Sequence, residues 1–178
     1  MSLNGKKVLI TGGGTGVGAD LARGFAQTGA EVFISGRTAA TLENVATAHD
    51  NIFSVVCDVA NEESVKAMFD QIGPMDIVIA NAGIAESAPL VKTDLESWNR
   101  LMAVNLTGVF LTWREGLRNM QGKEWGRLIV IASTAGLKGF GYVAPYSATK
   151  HGVIGLTKSV ALEVEKRASR RTRFARAT

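Results

Sequence analysis

Val8-Leu9-Ile10-Thr11 runs directly into Gly12-Gly13-Gly14-Thr15-Gly16-Val17-Gly18, and apolar residues then recur at Leu21, Phe25 and Ala26. A short apolar run closed by glycines and followed by apolar residues at helical spacing reads as strand, tight turn, helix. Such a turn brings backbone close to a phosphate, and the helix that starts near Gly16 aims its unpaired amides and positive dipole end at the same point. Glycine clusters also serve as plain turns. Here the place between a strand and a helix gives the cluster its meaning.

The same alternation continues along the chain. Glu31 to Ser35 reads as a second strand, Thr38 as the cap of a helix through Leu42 and Val45, and Ile52 to Val56 as a third strand. Asn61 caps the next helix, Met75 to Ala80 is a fourth strand, and Asp94 opens one long helix that passes Asn105. Leu128 to Ala132 makes a fifth strand, and a last helix follows Pro145. Strands alternating with helices imply an α/β fold, a doubly wound parallel sheet with right-handed crossovers. Strands buried on both faces read as apolar runs, as these do. Gly12, Asp58, Asn81 and Ser133 each fall just after a strand, so they converge on the rim where such sheets bind ligands.

Composition bounds the possibilities. With 178 residues, 46% hydrophobic content and 20 glycines the chain can bury one core, and no break in composition marks a second one. No apolar run reaches membrane-spanning length and the MSLNGKK start lacks the apolar stretch of a secretory signal, so a cytoplasmic protein without a membrane partner is expected. Cys57 is the only cysteine, which excludes an internal disulfide and suits a core thiol. With His49 and His151 the only histidines, no metal site is expected. From Lys166 onward there are six cations and no acid, so the net charge of +4 belongs to the tail and the preceding 165 residues carry −2. That distribution argues against a nucleic-acid partner.

Tyr146 and Lys150 stand four residues apart, on one helical face, with Ser133 upstream. An ammonium beside a phenol favours the phenolate, which suits a tyrosine that gives and takes a proton, and a serine hydroxyl can meet the substrate oxygen as its charge changes. With the TGxxxGxG spacing of Thr11, Gly12, Gly16 and Gly18, the Asn81-Ala82-Gly83 triplet and Asn105, these residues resemble the short-chain dehydrogenase/reductase family. The resemblance implies a Rossmann-like sheet in the order 3-2-1-4-5 and a nicotinamide cofactor. It gives Ser133, Tyr146 and Lys150 catalytic roles and Asn105 a place in a proton relay, through a water linking Lys150 to solvent. A polar residue that kinks or caps the long helix is the alternative for Asn105. Termination of the fifth strand is that for Ser133.

The resemblance also places Gly12, Gly16, Val17 and Gly18 at the cofactor's glycine turn, with Thr15 a hydroxyl donor toward a 2′-phosphate, Asp58 and Val59 at the adenine, and Asn81, Ala82 and Gly83 along the cofactor channel. Asp58 has a simpler alternative as a cap. Tyr146 and Lys150 contact the cofactor as well, the lysine through the nicotinamide ribose. Where dinucleotide folds that prefer NAD carry an acid, this chain has Gly36 followed by Arg37. A guanidinium suits a 2′-phosphate, so NADP(H) is the expected cofactor and NAD(H) the alternative. The implied activity is hydride exchange with a small-molecule carbonyl or alcohol, with 3-oxoacyl thioesters among the substrates. The alternative is a catalytically inactive fragment that keeps cofactor binding or pairs with an intact homologue. Family members pair through the last two helices, so a homo-oligomer is expected, with Trp98, Phe110 and Trp113 as contact or core residues. His151 lies off the face of Lys150 and reads as a surface residue.

The family pattern covers residues 1–166, and 167–178 form a basic segment outside it. There the family continues into a sixth strand, a proline-glycine turn, a lid and a seventh strand, whereas RASRRTRFARAT keeps no apolar period and is expected to fray or stay disordered. Read one base out of frame, synonymous codons for Ala168 to Thr178 spell Gly-Ile-Thr-Ala-Asn-Ala-Ile-Cys-Pro-Gly-Tyr, which resembles the absent strand and turn. The expectation is a single-base deletion near the Arg167 codon, which the nucleotide sequence tests.

Overall fold

The computed structural model describes residues 3–171. Five strands, β1 (Lys7–Thr11), β2 (Glu31–Gly36), β3 (Ile52–Val56), β4 (Ile77–Ala80) and β5 (Arg127–Val130), form one parallel sheet in the order β3-β2-β1-β4-β5. This is the architecture expected from the strand–helix alternation. The helices are α1 (Gly16–Gln27), α2 (Ala39–Ala46), α3 (Glu62–Ile72), α4 (Leu95–Met102), α5 (Gly108–Asn119) and α6 (Ala144–Arg171).

Period-two alternation divides the strands between two cores. Val8, Ile10, Val32, Ile34, Ile77 and Ile79 face α1 and α2, where Ala19, Ala22 and Ala26 let α1 lie close to the sheet. Leu9, Val55, Val78 and Ala80 face the other way, onto Val65, Met68 and Phe69 of α3, Val109 and Trp113 of α5, and Val153 of α6. Trp113 is buried, with its indole N–H on the Ile129 carbonyl at 3.3 Å, whereas Trp98 and Phe110 are exposed. Cys57 is buried, and His151 is exposed with Nδ1 2.9 Å from the Ser147 carbonyl.

Several boundaries differ from the sequence reading, each for a local reason. β4 begins at Ile77 rather than Met75, whose N–H bonds the Asn119 side chain at 2.7 Å. Asn61 caps α3 through Ser64 N, but Thr38, though at the N-cap position of α2, makes no side-chain cap bond. The helix opened by Asp94 is two helices, α4 and α5, joined by a π-turn over Ala103–Thr107. Gly152 gives room to Leu106, whose side chain would lie 3.0 Å from an added Cβ, but Gly155 has nothing within 4 Å. α6 continues through Arg171, so the helix enters the first part of the basic segment, where neither Pro nor Gly interrupts after Gly155. The rest of the basic segment, 172–178, lies outside the described residues. Among those described, no helix is long and apolar enough to cross a membrane.

Candidate active site

The first turn of the fold is locked to the end of β4. Thr11 Oγ1 accepts from the backbone N–H groups of Asn81 and Ala82, both at 3.1 Å, and Asn81 Nδ2 donates to the carbonyls of Thr11 at 2.9 Å and Gly12 at 3.2 Å. A Cβ on Gly12, whose φ is +67°, would lie 2.8 Å from Ala82 Cα, and one on Gly18 would collide with the Gly12 carbonyl. These two glycines therefore let the Thr11 turn, the start of α1 and the Asn81 segment touch. Thr15, the N-cap of α1, makes no side-chain cap bond, and no acid stands in the first turn. The leading amides of α1 thus remain without a side-chain acceptor, as an anion site requires.

A cleft of about 450 Å³ opens above this junction. Gly12, Thr15, Gly16, Val17, Gly18, Arg37, Asp58, Val59, Asn81, Ala82 and Gly83 line it, whereas Tyr146 and Lys150, the other two cofactor contacts expected from the sequence, are not among its lining residues. Arg37 is exposed on the rim beyond Gly36, and Asp58 both lines the wall and accepts from Ala60 N at 3.0 Å, so its capping role is compatible with its place in the cleft. Thr41, Leu42, Ile84 and Val104 also line the cleft and were not identified from the sequence. Thr41 lies one turn after Thr38, a spacing that would have signalled it; Ile84 and Val104 carry no local signal. Cys57 forms part of the same wall, and burial pushes its thiol pKa up, leaving it an inert lining group.

Tyr146 and Lys150 sit on α6, and Ser133 precedes a short 3₁₀ turn, Thr134–Gly136, that lies against that helix. A Cβ on Gly136 would come 2.6 Å from the Lys150 carbonyl, which measures how tightly turn and helix meet. Ser133 Oγ accepts from Ala135 N at 3.1 Å, leaving its own proton to be donated elsewhere. Lys150 is buried, donates to the Ile131 carbonyl at 2.8 Å, and holds Nζ 5.6 Å from the centre of the Tyr146 ring. Burial pulls the Lys150 pKa below its ordinary value. A Cβ on Gly83 would be 4.0 Å from Lys150 Nζ and 3.4 Å from Asn105 Oδ1, so the cleft wall reaches the lysine.

Asn105 occupies the π-turn, buried, with both ends of its amide engaged. Oδ1 accepts from Ile84 N and Nδ2 donates to Ile84 O, each at 2.8 Å, with Thr149 Oγ1 3.4 Å from Nδ2. The side chain thus ties the π-turn to the segment after Gly83.

A family model described as short chain dehydrogenase matches residues 6–170. The chain belongs to that family. The 3-oxoacyl-[acyl-carrier-protein] reductase MabA of Mycobacterium avium is 34% identical over 165 residues, which cover 90% of this chain and 62% of that protein. For the FabG proteins bearing the same reductase name, identity is 34% in Rickettsia prowazekii, over 94% of this chain and 70% of the relative, and 35% in Aquifex aeolicus, over 94% and 71%. A crystal structure of a short-chain type dehydrogenase/reductase from Mycobacterium marinum superposes with a TM-score of 0.87 at 34% identity, covering 93% of this chain and 69% of that one. This short-chain dehydrogenase therefore spans about two thirds of the length of its relatives.

Proposed function

We propose that the chain is an NADP(H)-dependent oxidoreductase that exchanges a hydride with a carbonyl or alcohol, with 3-oxoacyl thioesters as its substrate class. The observation that carries the reading is Lys150, buried between the Ile131 carbonyl and the Tyr146 ring and reached by the cleft wall at Gly83. The names of the reductases from Mycobacterium avium and Rickettsia prowazekii support the thioester. The cleft fits a dinucleotide: glycines at 12 and 18 leave a cradle that a Cβ would fill, and uncapped α1 amides stand ready for a pyrophosphate. Arg37 and Thr15 on its lining support the 2′-phosphate form.

When bound, the nicotinamide supplies or takes up the hydride. The Tyr146 phenol gives its proton to the substrate oxygen in reduction and recovers it in oxidation, and Ser133 donates its free hydroxyl hydrogen to the same oxygen. Lys150 binds the nicotinamide ribose and favours the phenolate by its charge when protonated. Because the Asn105 amide is engaged by Ile84, a relay at this residue would run through its main chain rather than its side chain. Exposed Trp98 and Phe110 on α4 and α5 support a homo-oligomer.

Replacing Tyr146 by Phe removes the mobile proton and keeps the ring. Turnover of NADPH with a 3-oxoacyl thioester should fall by roughly 10³-fold while cofactor affinity is largely kept. Wild-type-like turnover in that variant would refute the mechanism. The second reading, an inactive chain that still binds cofactor or pairs with a longer homologue, rests on β5, which pairs with β4 alone among the described residues. It predicts cofactor binding without turnover in the unmodified chain.

A further inference from the structure

Between β4 and α4 the chain leaves the cleft as an extended strap without regular secondary structure, residues 83–89. Its residues alternate: Ile84, Glu86 and Ala88 are half-buried, and Gly83, Ala85, Ser87 and Pro89 are exposed. Each inward residue is tied to a different part of the molecule. Ile84 is held by Asn105, and Ala88 N donates to the Tyr142 carbonyl at 2.8 Å. Between them the Glu86 carboxylate accepts two bonds from one guanidinium, Arg100 Nε and Nη2, each at 2.9 Å. That fork is itself steadied on α4, with Nη2 3.2 Å from Ser97 Oγ and Nη1 3.5 Å from Glu96 Oε1. Five residues along a regular helix set side chains ~140° apart, and the wider π-turn narrows that angle, so Arg100 and Asn105 reach the same strap.

Resting on the oxidoreductase reading above, we infer that Arg100 and Glu86 are positioning residues for the reaction: their paired bonds fix the strap that sets Tyr146 in line with Lys150 and the cleft wall. One end of the strap is Gly83, where an added Cβ would lie 4.0 Å from Lys150 Nζ. The other end is bonded to Tyr142, four residues before Tyr146 and just ahead of α6. Tyr142 has a φ of +65° and is the sole non-glycine with positive φ among the described residues, a backbone state that persists only where neighbours hold it. Neither Arg100 nor Glu86 lines the cleft, so both act through the strap. Their side chains are 45% and 35% exposed, and a pair so placed adds little to stability while its two parallel bonds fix orientation. Its effect therefore lies in alignment rather than in folding. Reacting groups lose much of their advantage when displaced by about 1 Å, and slack in the strap acts over that range.

Arg100→Met keeps the reach of the side chain and removes both bonds. In NADPH oxidation with a 3-oxoacyl thioester its kcat should fall about 10-fold with the KM for NADPH held within twofold, and the urea midpoint should move by less than ~0.5 M. The exchanged pair, Glu86→Arg with Arg100→Glu, should recover most of the loss, whereas Glu86→Arg alone, which opposes two guanidiniums, should not. Hydrogen exchange on the full chain gives a readout that needs no turnover. In Arg100→Met the Ala88 amide should exchange at least ~10-fold faster while the amides of β1 and β4 keep their rates. An unaltered Ala88 amide overturns the proposal, as does a kcat within twofold of the unmodified chain, a loss that the exchanged pair leaves in place, or a fall in kcat matched by a large drop in the urea midpoint. An accelerated Ala88 amide in a chain inactive toward every carbonyl would refute the oxidoreductase reading and still establish the clamp on the strap.

Discussion

Gly18 illustrates how little room single residues leave at this site. Its missing side chain lets α1 start against the Gly12 carbonyl, and an added Cβ would also stand 2.6 Å from Asn81 Nδ2. Arg37 has the opposite character, exposed and free to turn toward a ligand. Exposed ion pairs are weak on their own, but a guanidinium on a doubly charged phosphate gains from charge and paired donors together. Arg37→Glu should therefore lower NADPH affinity by about 10- to 100-fold and raise relative affinity for NADH, read by fluorescence titration of both cofactors. Tighter binding of NADH than NADPH by the unaltered chain would remove the basis for this assignment. Lys150 shows what a buried charge asks of its surroundings: desolvation favours the neutral amine, and the Ile131 carbonyl offers one acceptor in return.

At the scale of elements, the break between α4 and α5 has an identifiable cause. Asn105 satisfies both backbone groups of Ile84, and the π-turn positions its amide to do so. Asn105→Ala would leave that N–H and C=O, which are half-buried beside the cleft, without their side-chain partner. The variant should lose about 2–4 kcal/mol in urea unfolding, and a loss below ~0.5 kcal/mol would show that water or a shifted loop replaces the amide. The division of the chain into strands and helices was legible in the sequence because apolar runs and caps such as Asn61 and Asp94 are local signals. The π-turn was not, because it arises from a contact 21 residues away in the chain. Likewise, the residues lining the cleft from the glycine turn and the Asn81 triplet were legible through their spacing, whereas Ile84 and Val104 arrive only when β4 and the π-turn are brought together.

Across the whole molecule, the binding rim at the carboxyl ends of the strands has a counterpart at their amino ends. Asp76 accepts from Lys7 N and from Lys123 Nζ, each at 3.0 Å, while its own N–H bonds the Lys7 carbonyl and its carbonyl accepts from Arg127 N, both at 2.9 Å. One residue thus fastens β1, β4 and β5. Burial alone would raise its pKa, but the bonds from Lys7 and Lys123 and the charges of Lys123 and Lys6 outweigh it and hold the carboxyl below its usual value of 3.8. The stabilisation is therefore complete above that pH and fades as acid passes through the lower folded-state value. Asp76→Asn should cost about 1–3 kcal/mol at pH 7 and flatten the acid limb of the stability–pH curve. An unchanged acid limb would show that other carboxylates govern it.

The Lys150 amine hangs from the Ile131 carbonyl, just past the last residue of the outermost strand, β5. That border is consequently a lever as well as a wall. Whatever grips or loosens that border acts on the tether of Lys150, the residue proposed to favour the Tyr146 phenolate.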